Sequence, residues 1–176
     1  MIDFDKLRSM FGGRLKREQV DGIKFLVEGL SDWPKTHVAY ALATVFHETG
    51  RTMQPIPEWG SQSYFRKYDD RKDLGNVEPG DGFKFRGRGY VQLTGRANYT
   101  KYGLAENPGA ALEPDVALRI LKTGMSRGLF TGRKLSDYDR PDGGYDFVNA
   151  RRIVNALDRA KLIAGYAEEF KEALHA

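Results

Sequence analysis

Residues 51–82 carry neither a helical nor a strand period, and no other stretch constrains the chain as much. It collects Pro55, Pro57, Gly60, Gly75, Pro79 and Gly80, residues that interrupt regular structure because proline lacks a backbone donor and glycine has no Cβ to restrict it. A loop of this length inside a chain of 176 residues is usually functional. The expectation is irregular backbone with one short helix over 61–68.

Helical patterning surrounds that loop. Val20, Ile23, Val27 and Leu30 recur at spacings of three and four and predict a helix over 17–30. Trp33-Pro34 ends it. A second helix opens at Pro34, whose fixed φ suits a first turn, and runs through Val38, Ala41, Leu42 and Val45 to a stop at Gly50. Phe83 and Phe85, followed by Tyr90-Val91-Gln92-Leu93, read as a short β-hairpin turning through 86–89, with a helix starting near Thr94. Glu113-Pro114-Asp115 leads a core helix over 115–124, and 124–144 is loop again. From Tyr145 onward, Val148, Ile153, Val154 and Leu157, then Ile163, Tyr166, Phe170 and Leu174, predict two helices or one kinked helix, the last over 158–176. No repeat divides the chain, so the reading is one mostly α domain over 1–176 with at most a short β-hairpin.

Composition narrows the classes of function. A hydrophobic share of 40% and a charged share of 30% supply a core without staples. The absence of cysteine excludes disulfides and thiolate metal sites. No apolar run is long enough for a transmembrane helix, and the charged start Met-Ile-Asp-Phe-Asp-Lys is unlike a secretory signal, so the expectation is synthesis in the cytoplasm. The net charge of +4 fits an anionic partner (nucleic acid, a membrane surface or the bacterial wall), or a basic solvated surface without one. Stable membrane insertion of the last helix is not expected, because Glu168, Glu169 and Glu172 offset Arg159, Lys161 and Lys171.

Glu48, in the run His47-Glu48-Thr49-Gly50, lies in the last turn of an apolar helix. That is the negative end of the backbone dipole, where a carboxylate is disfavoured relative to its neutral form, and Val45 and Phe46 act in the same direction if they help to bury it. A carboxyl kept protonated is what glycosidic cleavage needs for its leaving group. Position alone fits a solvated helix-end residue equally. A metal site is not expected: neighbours on a helix point about 100° apart, His37 is ten residues away and His175 is near the terminus. No cofactor is implied.

The run Phe85-Arg86-Gly87-Arg88-Gly89-Tyr90-Val91-Gln92-Leu93-Thr94-Gly95-Arg96-Ala97-Asn98-Tyr99 combines glycines that permit close backbone approach with the polar and aromatic mixture of sugar clefts. A phosphate loop fits poorly, since both the dinucleotide spacing and a Gly-Lys-Ser/Thr ending are missing. Trp59, Tyr64, Phe65, Tyr68 and Tyr90 can stack on sugar rings. Arg51, Arg66, Lys67, Arg86 and Arg88 can meet carboxylates of peptidoglycan stems or phosphates. Nucleic-acid binding ranks below hydrolysis, because the interleaved basic and aromatic residues are confined to one region.

Taken together, His47-Glu48-Thr49-Gly50 and Gly87-Arg88-Gly89-Tyr90-Val91-Gln92-Leu93-Thr94 with Asn98-Tyr99 resemble, in order, the two landmarks of the family-19 chitinases and their phage endolysin relatives. A third, Arg152-Ile153-Val154-Asn155-Ala156-Leu157, resembles the family's Ile-Asn-Gly-Gly run, with Ala156 and Leu157 in place of the glycines. The resemblance implies a lysozyme-like architecture of two lobes around a cleft, Glu48 as the general acid, and Thr94 holding the nucleophilic water. It further implies Gln92, Asn98 and Asn155 as substrate-side residues, to which His47, Tyr64, Arg88 and Tyr90 are added as cleft-lining candidates. Met53-Gln54-Pro55-Ile56-Pro57-Glu58 resembles the stretch that precedes the base in short endolysin-like members, which makes Glu58 the candidate base and Glu78 the reserve. The expected activity is inverting hydrolysis of β-1,4 bonds in peptidoglycan glycan strands by a monomer, released to the wall through a holin-made hole. Chitin cleavage and a non-catalytic sugar-binding module are the alternatives.

Overall fold

The computed structural model describes residues 1–175. Seven α-helices carry it: α1 (Arg17–Gly29), α2 (Lys35–Glu48), α3 (Gln62–Phe65), α4 (Asp81–Lys84), α5 (Arg96–Lys101), α6 (Pro114–Arg127) and α7 (Ala160–Ala173). Two strands, β1 (Ile56–Pro57) and β2 (Arg88–Gly89), form an antiparallel pair in which Ile56 faces Gly89 and Pro57 faces Arg88. No helix among the described residues is long and apolar enough to cross a membrane.

The backbone divides into two compact units, one of Met1–Gln54 with the residues from Leu121 onward, the other of Pro55–Ile120. In the first unit α2 is the central element: every residue from His37 to Phe46 is buried, as expected for a helix that is apolar on all sides. α7 packs along it, and Phe46 sits in a cluster of edge-on rings with Phe11, Tyr166 and Phe170 at centroid distances of 5.0, 4.8 and 6.0 Å. Lys122 Nζ donates to Gly29 O at 2.9 Å and pairs with Asp32 at 2.8 Å, placing a cation at the negative end of α1.

Tyr40, on α2, is fully buried. Thr44 Oγ1 donates to Tyr40's own carbonyl at 3.0 Å, and the Tyr40 hydroxyl has no hydrogen-bond partner among the described residues. Burial pushes this phenol above its ordinary value, so it is a neutral, unsatisfied donor. A buried polar group left unpaired costs about 1–3 kcal/mol. Tyr40→Phe is therefore expected to raise stability by about 1 kcal/mol, read as a melting temperature about 2–4 °C higher; a lower melting temperature would show that the hydroxyl is bonded.

The second unit is held by Asp81, which is 2% exposed. Its Oδ2 accepts from Val77 N and Glu78 N, each at 3.0 Å, and from Arg96 Nε at 2.8 Å, while Oδ1 accepts from Arg96 Nη2 at 2.6 Å. The carboxylate thus fixes the turn over Val77 and Glu78 that leads into α4 and ties it to α5. Burial opposes the charge, but Arg96 and the two backbone donors prevail and hold the carboxyl below its ordinary value.

Two local expectations change. Phe83 lies in α4, and the strand pair joins Arg88–Gly89 to Ile56–Pro57, remote in sequence, instead of forming a hairpin about 86–89. Only an isolated bridge between Arg88 and Leu93 remains of the local pairing. After Tyr145 the first expected helix is a 3-10 turn, Asn149–Ile153, and the last helix spans Ala160–Ala173, with Ala176 outside the described residues.

Candidate active site

In the first unit Glu48 is the final residue of α2. The chain leaves it through a closure in which Arg51 N donates to Phe46 O at 2.8 Å and Gly50 N to His47 O at 3.2 Å, with Gly50 at φ +57°. This six-to-one and five-to-two pairing satisfies the last carbonyls of the helix. Buried Thr49 adds to it, donating from Oγ1 to Val45 O at 2.7 Å and accepting from Met53 N at 3.2 Å. The run after Glu48 therefore fixes where the helix stops and holds the carboxylate at its rim.

The sequence expectation surrounded Glu48 with apolar neighbours. Its closest partner is instead Arg151, which is 2% exposed and donates from Nη1 to Glu48 Oε1 at 2.9 Å. Arg151 Nε also donates to Asp158 O at 3.1 Å, so the guanidinium is anchored on one side and presents its other edge to the carboxylate. Nothing in the local sequence marks Arg151, since the pair is separated by 103 positions. Half-buried His47 is held below its ordinary value by burial and by Arg151 and Arg159, against the pull of Glu48. Asn155 donates from its backbone N to Arg151 O at 3.0 Å, and its Oδ1 accepts from Ala156 N at 2.8 Å, placing it at the end of the turn that carries Arg151.

The second unit gathers Glu58, Gly87, Gln92, Thr94 and Asn98. Glu58 N donates to Gly87 O at 2.7 Å and Gly87 N returns a bond to Glu58 Oε2 at 3.3 Å. Tyr68 Oη donates to Oε1 at 3.3 Å. Burial and the charge of Glu58 push the Tyr68 phenol up, which keeps it a donor. A side chain at position 87 would put its Cβ 2.8 Å from Gln92 Oε1 and 3.2 Å from Glu58 Oε2, so anything larger than glycine would make the Gln92 or Glu58 side chain shift.

Gln92 adopts φ +52° and donates from Nε2 to Ile56 O at 2.8 Å and Gly89 O at 3.2 Å. Thr94 Oγ1 donates to Gln92 O at 2.8 Å, and Asn98 Nδ2 donates to Thr94 O at 2.8 Å. These bonds string the glycine-rich run into one rigid turn beside Glu58.

Arg88 and Tyr90 do not present the ligand-facing side chains expected of them. Arg88 is 7% exposed and spends its guanidinium on Lys84 O, Arg86 O and Tyr99 Oη; Tyr90 is 1% exposed. Burial makes both part of the framework. Tyr64 is 46% and Trp59 79% exposed; Lys67 Nζ lies 3.5 Å from the Tyr64 ring centroid, so the more open ring is that of Trp59. Glu78 has an exposed side chain, and its backbone N donates to Asp81 Oδ2. No group of three or more His, Cys, Asp or Glu that could hold a metal occurs among the described residues.

A search of solved structures matches this chain to chitinase C from Streptomyces griseus HUT6037 with a TM-score of 0.65 and 19% identity, over 98% of this chain and 76% of that one. The chain has the lysozyme-like fold of the family-19 chitinases. A variant of chitinase C with one glutamate changed to glutamine matches at a TM-score of 0.64 over the same shares of each chain. Neither a scan of family models nor a search of curated proteins gave a match. In the first unit Glu48 is held by Arg151, and in the second Glu58 is held by Gly87 and Tyr68.

Proposed function

We propose that the chain is a glycoside hydrolase that cuts β-1,4 bonds of peptidoglycan glycan strands. The observation that carries this reading is Glu48, held at the rim of α2 by buried Arg151, on a fold shared with chitinases. In the mechanism Glu48 gives its proton to the leaving oxygen as the glycosidic bond breaks. Glu58, with Thr94, orients a water and takes its proton as the oxygen bonds to the anomeric carbon. The product inverts because water attacks from the face opposite the leaving group. Gln92 and Asn98 hold the turn beside Glu58; Trp59 and Tyr64 offer sugar-stacking faces.

Peptidoglycan is preferred over chitin on the endolysin-like motifs and on the net charge of +4, which favours approach to an anionic wall. The reading includes a phage endolysin that reaches the wall through a holin-made hole and acts as a monomer. A chitin substrate is the second reading, favoured by the named activity of the structural neighbours. Release of reducing sugar from purified sacculi and not from colloidal chitin is the expected result; the reverse would transfer the assignment to chitin. NMR of the first product is expected to show the α-anomer, and a β-anomer would exclude a single displacement.

A further inference from the structure

The second unit contains a hollow of about 460 Å³ that the proposed chemistry does not use, lined by Gln62, Arg66, Asp69, Pro79, Gly80 and Phe83. Its volume lies within the range of small-ligand sites. Its floor is apolar and supported: the Arg86 guanidinium lies 4.2 Å above the Phe83 ring centroid, and Phe65 packs 5.9 Å from the same ring. Its charged groups keep atoms available. Arg66 is exposed, and its guanidinium makes no hydrogen bond or ion pair among the described residues. Asp69 Oδ1 accepts from Gly82 N at 2.7 Å, and a Cβ at position 82 would press to 2.9 Å from that oxygen. This contact orients the carboxylate and leaves its second oxygen available.

A cation, a carboxylate oxygen and an amide around an apolar floor match a ligand that carries a carboxylate, an ammonium or amide N–H, and a short aliphatic body. A neutral N-acetylhexosamine polymer has no such set of charges. A peptide branch has all of them. The hollow is also close in sequence to the candidate base: Arg66 and Tyr68 leave the same 3-10 turn, Arg66–Tyr68, and Tyr68 Oη bonds Glu58.

We propose that this hollow binds the peptide stem of peptidoglycan, with Arg66 taking a stem carboxylate and Asp69 and Gln62 taking N–H donors over Phe83. The proposal rests on the peptidoglycan reading and deepens it. Stems hang from every second sugar, so a stem seated in the hollow sets which of the two glycosidic linkages is presented to Glu58. Arg66 contributes more than a point charge, because its planar fork can grip a carboxylate through two bonds.

The test titrates the full-length, ¹⁵N-labelled protein with the soluble tripeptide L-alanyl-γ-D-glutamyl-meso-diaminopimelate and, separately, with chitotetraose. The tripeptide is expected to shift the amides of Gln62, Arg66, Asp69, Gly80 and Phe83, and chitotetraose to leave them in place. Arg66→Ala, whose spectrum checks its fold, is expected to weaken the tripeptide about tenfold, the loss of one charge-assisted contact. It is also expected to raise KM on intact sacculi several-fold, an effect that amidase treatment to remove the stems should abolish. No tripeptide-induced shifts at these amides, or equal affinity in wild type and Arg66→Ala, would overturn the site while leaving hydrolysis intact. Tripeptide shifts in a protein that cleaves neither sacculi nor chitin would uphold the site and remove the hydrolase reading.

Discussion

Glu48→Gln is expected to lower turnover on purified sacculi about a thousandfold, within the range that a positioned acid supplies, while circular dichroism and melting temperature stay close to wild type. The substitution isolates chemistry from folding. A glutamine keeps an oxygen where Arg151 Nη1 now donates at 2.9 Å, so the buried guanidinium retains an acceptor and the closure of α2 through Thr49 and Gly50 is untouched. What disappears is the proton that the leaving oxygen needs. If Glu48→Gln lysed sacculi at the wild-type rate, Glu48 would be a structural partner of Arg151 alone and another group would supply the proton; if wild type and variant bound sacculi without lysing them, the chain would be a sugar-binding module.

Asp81→Ala should cause the largest loss of stability, about 3 kcal/mol and a fall in melting temperature of about 6–12 °C, because it leaves the Arg96 guanidinium and two backbone N–H groups without their shared acceptor. Hydrogen exchange should place the loss in the second unit. The effect is pH-dependent in a defined direction. Asp81 is held below its ordinary value of 3.8 in the folded protein. A carboxyl of this kind contributes stability that is fully present above the unfolded value and is lost as pH falls through the lower folded one. Wild type should thus exceed Asp81→Asn by a constant margin from pH 7 to about pH 5, a margin that narrows below about pH 4 and closes only once pH has fallen through the lower folded value. A margin that stayed constant into acid would mean that Arg96 is not the partner that stabilises the charge.

Much of the helical frame was legible because it depends on neighbours in sequence. The apolar spacing of Val20, Ile23, Val27 and Leu30 leads to α1, and Pro34 with Gly50 brackets α2, Pro34 standing just before its first residue. The short helix expected over 61–68 appears as α3 followed by a 3-10 turn. The hairpin was not legible. Phe83 and Phe85 look like strand residues, yet a helix starts after Gly80, its N-cap at φ +88°, and β2 finds its partner at Ile56–Pro57. Local β preference carries little weight when a capped turn satisfies the same backbone groups.

The same division runs through the candidate site. The sequence by itself determined where Glu48 sits on its helix, that Gly50 stops that helix, and that glycines between Gly87 and Gly89 let the backbone approach closely, because these depend on φ, caps and spacing within a few residues. Tertiary structure alone decided that a buried arginine from the far end of the chain faces Glu48, that Gly87 and Tyr68 grip Glu58, and that Arg88 and Tyr90 turn inward. Ion pairs and burial depend on which segments meet in space, and residues as far apart as Glu48 and Arg151 leave no periodic trace of their meeting in the linear order.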